Sequence, residues 1–356
     1  MTQVAIIIPT MNRPDFMLRQ FEFYELMKST HPIYILDSSS PENAEKLKDV
    51  IKKFKNFEII YKWAPPGKDH IYTLMPLIKE KYCVQSCDDD FIIPSTISEC
   101  ADFLENNSDY GTCAGKQINI YLRKEDFNKP YGIVERQTRP LGRSIEDASI
   151  LTRLKSFWLD QYFICFAVTR TDTERAIRNI TKHFVMNEDM FEFVLFDMLI
   201  VSGKCKVLDR LGYIMQRSGL PFFDHNLMYD FKLISEKWSI CEKELVNFIQ
   251  AQGMPERESS EAAKAAFSLY LVSHYFTNPL DPEIDNASIG RKKFVPLRQR
   301  LFKEIKHFAS KNPLLKSIYY KYYPPNYVDK PESKYFNDYR AVKDFLEKDK
   351  QKLANK

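Results

Sequence analysis

The sequence predicts an α/β fold, a mostly parallel sheet flanked by helices with a helical extension after it. Three observations predict it. Short apolar, β-branched runs alternate with helical periods over the first 120 residues, the pattern of parallel strands joined by right-handed crossovers. Polar clusters follow directly on three of those runs. From about residue 228 to about residue 310 the pattern is helical throughout.

The elements follow in order. Val4–Ile8 is a continuous apolar run, as expected of a strand buried on both faces, and Pro9 is expected to end it. Pro14 opens a helix carrying Phe16, Met17, Phe21, Tyr24 and Leu26. Ile33–Leu36 is a second strand, running into Asp37-Ser38-Ser39-Ser40. A helix after Pro41 sets Leu47, Val50, Ile51 and Phe54 on one face. Phe57–Tyr61 reads as a third strand, 69–81 as a third helix, and Tyr82–Cys87 as a fourth strand running into Asp88-Asp89-Asp90. Pro94-Ser95 opens a helix through Leu104. Residues 122–150 read as loops, an insertion facing an acceptor. Tyr162–Val168 returns to strand; 171–181 and 188–202 read as helices, the second stopped by Gly203. The expected organisation is a catalytic domain over 1–227, a helical extension over 228–311, and a basic Tyr/Pro/Lys-rich tail over 312–356 that is partly extended.

Composition excludes several classes. Only 10 of 356 residues are glycine, and neither glycine-rich phosphate-loop signature occurs. The seven cysteines form no C-x-x-C pair, which reads as scattered buried thiols in a reducing compartment. No apolar run is long enough for a membrane span, and the N-terminus lacks the features of a signal peptide. These features predict a cytoplasmic protein. Residues 291–356 hold 18 basic and 7 acidic residues, a net +11 that leaves −7 on the first 290. Within this tail, Phe294, Leu297, Leu301, Ile305 and Phe308 share a helical face flanked by Lys and Arg. Such a helix can lie on an anionic membrane surface or pack on the body of the protein. Nucleic acid is not an expected partner, since the body is acidic.

In parallel sheets, ligands bind outside the carboxyl ends of the strands. Pro9-Thr10, Asp37-Ser38 and Asp88-Asp89-Asp90 all fall at such ends. Three adjacent carboxylates repel one another and call for a positive partner. A divalent cation, Mn or Mg, is the simplest, and it could bridge the phosphates of a nucleotide diphosphate. The competing reading is a solvated loop or a capping cluster.

With Asn12-Arg13, Asp37-Ser38-Ser39, the strand into Asp88-Asp89-Asp90, and Asn187-Glu188-Asp189 in view, the first ~220 residues resemble a family 2-type glycosyltransferase of the GT-A fold. The resemblance implies that Pro9, Thr10, Arg13, Asp37 and Ser38 hold the nucleotide, and that Asp88 and Asp89 meet its diphosphate. It implies Asp90 and Asp88 as metal ligands, Asp90 first, and Asp189, with Glu188 beside it, as catalytic base. The family's glycine-rich stretch and Arg-Asn pair are replaced here by Pro66-Gly67-Lys68-Asp69-His70, where Lys68 or His70 could contact ribose or phosphate or could simply stand at a solvated helix start. The Q-x-x-R-W motif of processive members is absent, which favours single transfers. Asp189 would lie in the first turn of a helix, where the dipole favours its ionised form; the alternative is an ordinary helix-start acid. His225 is a candidate late metal ligand, with a plain surface histidine as the alternative.

These readings converge on an inverting, metal-dependent glycosyltransferase. It would take a nucleotide-sugar donor, UDP-sugar favoured, and a hydroxyl of a glycan, lipid-linked or protein acceptor. A sugar nucleotidyltransferase would want a glycine-rich loop after its first strand, where Pro9-Thr10-Met11-Asn12-Arg13-Pro14 stands. A non-catalytic module of the same fold would have no use for the retained acids.

Overall fold

The computed structural model describes residues 2–65, 71–159, 164–182, 188–217, 231–276 and 328–354. Its strands are β1 (Val4–Thr10), β2 (Ile33–Asp37), β3 (Ile59–Trp63), β4 (Tyr82–Gln85), β5 (Phe91–Ile92), β6 (Tyr110–Leu122), β7 (Val134–Gln137), β8 (Val168–Arg170) and β9 (Lys204–Arg217). They form one sheet in the order β3-β2-β1-β4-β8-β6-β9-β5, with β7 beside β6. The β3-β2-β1-β4 part is parallel. Beyond β4 the sheet is mixed: β8 joins β4 and β6 antiparallel, whereas β6 and β9 pair parallel.

Alternation along β1 assigns each face of the parallel part. Val4, Ile6 and Ile8 face α1 (Pro14–Leu26) in a core shared with Ile33, Ile35, Met17 and Phe21. Ala5 and Ile7 face the other side, against Ile71, Leu74 and Met75. The strand continues through Pro9 instead of ending there. Ser38 N–H donates to Thr10 O on the β2 side, and Ser86 N–H donates to Ile7 O on the β4 side. By that alternation the N–H that Pro9 lacks would point toward β4, whose ladder has already stopped at Ile7–Gln85.

The helices α2 (Pro41–Ile51) and α4 (Pro94–Asn106) start at their prolines as expected. The third helix is cut short: α3 covers only Ile71–Leu74, and Met75–Leu77 tightens into a 3-10 turn around Pro76, which cannot supply a helical N–H. β3 begins two residues later than expected. The expected strand at 162–168 is displaced to β8, behind a 3-10 turn at Ile164–Phe166; residues 160–163 lie outside the described residues. The 122–150 segment is not all loop, since it contains β7 and bridges Gln117–Leu141 and Ile145–Cys205.

A second core lies between the β6/β9 side of the sheet and α5 (Ile150–Leu159), α7 (Glu188–Val201), α8 (Phe231–Ala251) and α9 (Glu256–Phe276). α6 (Thr171–Thr181) has the predicted bounds. In the tail, α10 (Phe336–Ala354) returns to the first core: Phe345 packs against Phe23, Phe91 and Tyr131. The composition of 312–356 concealed this helix; its signal is the apolar spacing Tyr339, Val342, Phe345, Leu346. Residues 291–311 lie outside the described residues. Among the described residues, no helix is long and apolar enough to cross a membrane.

Candidate active site

The site is built on the carboxyl edge of β1, β2 and β4. Thr10 and Asp37 are register partners, so their side chains leave the same face side by side. The chain after β4 brings the acidic run beside them. Thr10 Oγ1 donates to Asp88 Oδ2 at 2.7 Å, and Arg13 Nη1 donates to Asp88 Oδ1 at 2.6 Å and to Asp89 Oδ2 at 3.1 Å. Thr10, Arg13, Asp88 and Asp89, four residues singled out from the sequence, therefore form one hydrogen-bonded group. Arg13 supplies the positive charge that the acidic run required, and its guanidinium lies 3.7 Å over the Phe16 ring.

Two residues of α1 that the sequence reading missed hold the backbone of this turn. Gln20 Nε2 donates to the carbonyls of Asp88 (2.9 Å) and Asp90. Arg19, fully buried, donates to the Asp88 carbonyl, to Gln216 Oε1 at 2.6 Å and to Pro130 O at 2.8 Å. Burial pulls the Arg19 pKa down to about 10, opposed by Asp89, Asp88 and Asp90, so it stays charged at neutral pH. Their signal in the sequence was polarity inside an apolar period: Arg19 and Gln20 interrupt the stripe Phe16, Met17, Phe21.

Asp90 is held from β9. Tyr213 OH donates to Asp90 Oδ2 and the Gln216 N–H to Asp90 Oδ1 at 2.8 Å. β9 reaches this point through a close crossing with β6, where a Cβ on Gly115 would lie 2.6 Å from Gly212 Cα. Burial raises the pKa values of Asp90 and Asp88; Asp89 adds to the rise at Asp90, and Arg13 opposes it at Asp88. Asp89 is the most exposed of the three.

Asp37 is fully buried. Its Oδ1 accepts the Ser39 N–H at 2.9 Å and its Oδ2 accepts Tyr61 OH at 2.8 Å. Ser38 is tied through its N–H to Thr10 O at 2.9 Å, beside Pro9. Asp37 thus shapes the turn after β2 from beneath.

A hard divalent cation suits carboxylates, with donor phosphates completing its shell. Cys87, Asp89 and Asp90 each offer a ligand atom within 4.8 Å of the others. A soft thiol suits Mn or Mg poorly, so the two carboxylates are the fitting pair. Asp88, expected in that pair, instead faces Thr10 and Arg13.

The helix expected at 188 begins there as α7, but the side chains of Glu188 and Asp189 lie outside the described residues, as do Lys68 and His225. The first turns of α7 are nevertheless tied to the site. Arg178 of α6 lies 5.5 Å over the Phe191 ring, donates to Gln85 Oε1 at the end of β4, and pairs with Glu174 at 2.6 Å.

This sheet, with its acidic turn at the carboxyl edge, is a mixed α/β fold of the GT-A type. A crystal structure of S. aureus TarS 1–349 is similar, with TM-score 0.50 and 12% identity, covering 80% of this chain and 77% of that one. The same protein in complex with UDP-GlcNAc matches at TM-score 0.49 and 12% identity, over 80% and 78%. The mannosyltransferase PcManGT from Pyrobaculum calidifontis, in complex with GDP-Man and Mn2+, matches at TM-score 0.40 and 10% identity, over 78% and 76%. At 12% identity the likeness to TarS 1–349 is one of fold alone. No protein-family model and no curated protein sequence matches the chain.

Proposed function

We propose that the protein is a nucleotide-sugar-dependent glycosyltransferase that transfers a sugar with inversion to an acceptor hydroxyl. The observation that carries this is the bonded group Thr10, Arg13, Asp88 and Asp89 at the carboxyl edge of a GT-A-type sheet. Arg13 can follow the negative charge from the carboxylates to a bound diphosphate, where a planar guanidinium binds well. Asp89 and Asp90 would hold a divalent cation, which when bound neutralises charge on the leaving diphosphate. Asp88 orients Thr10 and Arg13, and Asp37 fixes the turn on which the nucleoside rests.

Asp189 is the base in this reading. Its role is to take the acceptor's proton as that oxygen attacks the anomeric carbon. The tie from Phe191 through Arg178 to Gln85 supports it, because that tie keeps the start of α7 beside the end of β4. The acceptor is read as a cell-surface glycan precursor, lipid-linked or on protein, with a contact to an anionic membrane placed somewhere in the basic 291–356 tail. Lys68 and His225 keep their proposed roles toward ribose or phosphate and toward the cation.

Thermal-shift measurements with UDP, GDP and CMP, with and without Mn, test the donor reading. Stabilisation by a nucleoside diphosphate, larger with Mn, is expected; no response to any nucleotide would refute it. Asp189→Asn should keep nucleotide affinity and lose transfer. Full turnover in that variant would remove Asp189 from the mechanism.

A further inference from the structure

Trp63 ends β3 and is 44% exposed, an unusual amount of indole surface to leave in water. The ring is nevertheless fixed, since its Nε1–H donates to Ser39 O at 3.0 Å. Ser39 Oγ in turn accepts the Asn12 N–H at 2.7 Å. Asn12 has φ 57°, and the residue before it, Met11, is 47% exposed. The exposed indole is thus held on the turn after β2, and the same serine ties that turn to the backbone after β1.

Its place in the sheet gives the indole a purpose. Thr10 is the register partner of Asp37, and Asp37 of Trp63, so the three leave one face in a row. At the usual strand spacing Trp63 stands about 10 Å from Thr10 along the edge. Thr10 is bonded to Asp88. A nucleoside laid along this edge, with its diphosphate at Arg13 and the acidic turn, would bring its base to the indole. Asp37 lies between them, fully buried, with its oxygens accepting the Ser39 N–H and Tyr61 OH, so it holds the turn and leaves the exposed surface to the indole.

We infer that Trp63 is the stacking platform for the donor's nucleobase, and that Asp37 is a positioning residue beneath it. This rests on the donor reading above. Stacking on an aromatic side chain needs only the π-face of the base, so the platform supplies affinity and leaves base identity to other groups. The remaining tryptophans, Trp158 and Trp238, pack in the second core, which makes Trp63 the natural fluorescent reporter of the site.

The test uses the full chain with MnCl2 and three probes: UDP, GDP and inorganic pyrophosphate. UDP or GDP should quench tryptophan fluorescence. Trp63→Ala should weaken that nucleotide roughly ten- to hundred-fold while leaving pyrophosphate affinity unchanged, and Trp63→Phe should retain most of it. Wild-type nucleotide affinity in Trp63→Ala would overturn the platform and leave the donor reading intact. An equal loss for nucleotide and pyrophosphate would also overturn it, since it would mark a general distortion of the edge. Failure of the wild-type chain to bind any probe would overturn the donor reading and the platform with it.

Discussion

Tyr213 donates its hydroxyl to Asp90 Oδ2 across 123 residues of chain, and the same ring lies stacked 4.1 Å from Phe166. The acidic turn is therefore anchored from the late strand β9 as well as from α1. Tyr213→Phe keeps the stacked ring and removes only the donor. A stability loss of about 1–3 kcal/mol is expected in urea unfolding, the usual cost of a buried acceptor left unpaired, together with weaker Mn-dependent nucleotide binding. Unchanged stability and binding would show that this bond does not hold the turn.

Arg13 stands where the sequence called for a cation. In Arg13→Gln the acidic turn loses this partner, and stability without metal should fall by up to about 1 kcal/mol, because the guanidinium is partly exposed. Added Mn should then raise the melting temperature more in the variant than in the wild type. Equal Mn-induced shifts in the two proteins would contradict the exchange of one cation for the other.

His31 gives the fold a pH dependence away from the site. Its Nδ1 accepts the Val4 N–H at 3.1 Å, which leaves Nε2 to donate to Pro94 O at 3.1 Å. Burial lowers its pKa below the ordinary 6.5, outweighing the Pro94 carbonyl. With the folded value below the unfolded one, the unfolded chain takes up the proton first as pH falls. The His31 contribution is therefore complete above about pH 6.5 and erodes below it, at no more than about 1.4 kcal/mol per pH unit. Chemical unfolding of His31→Gln from pH 7.5 to 5.5 should show a shallower loss than the wild type. Parallel profiles would rule His31 out as the source.

Phe345 tests whether α10 belongs to the core under the site. Its ring centroid lies 5.6 Å from that of Phe23 and 6.2 Å from that of Phe91. Phe345→Ala should cost about 3–5 kcal/mol. A loss within about 0.5 kcal/mol, the range typical of surface substitutions, would mean that the helix is dispensable.

The legible part of the fold was the part whose signals are local. β1, β2 and β4 are continuous apolar runs, and Pro14, Pro41 and Pro94 mark helix starts with no need of tertiary context. β6 and β9 were harder, because Lys116, Gln117, Asp209 and Arg210 interrupt their apolar pattern, and a close glycine crossing between distant strands sets their register. At the site, Thr10, Arg13, Asp88 and Asp89 could be read from strand ends. Arg19, Gln20, Tyr213 and Gln216 could not, since their roles depend on a helix and a strand that meet the acidic turn only after folding. Asp37 was legible as a site residue but not as a buried one, because Tyr61 and Ser39 claim its oxygens.

The most direct measurement is calorimetric titration of UDP and GDP, with Mn, into the wild-type chain and into Asp89→Asn. The wild type should bind at least one nucleotide, and the variant should lose at least about tenfold in affinity. Equal affinity in both proteins, or no binding by the wild type, would contradict a nucleotide site at the acidic turn.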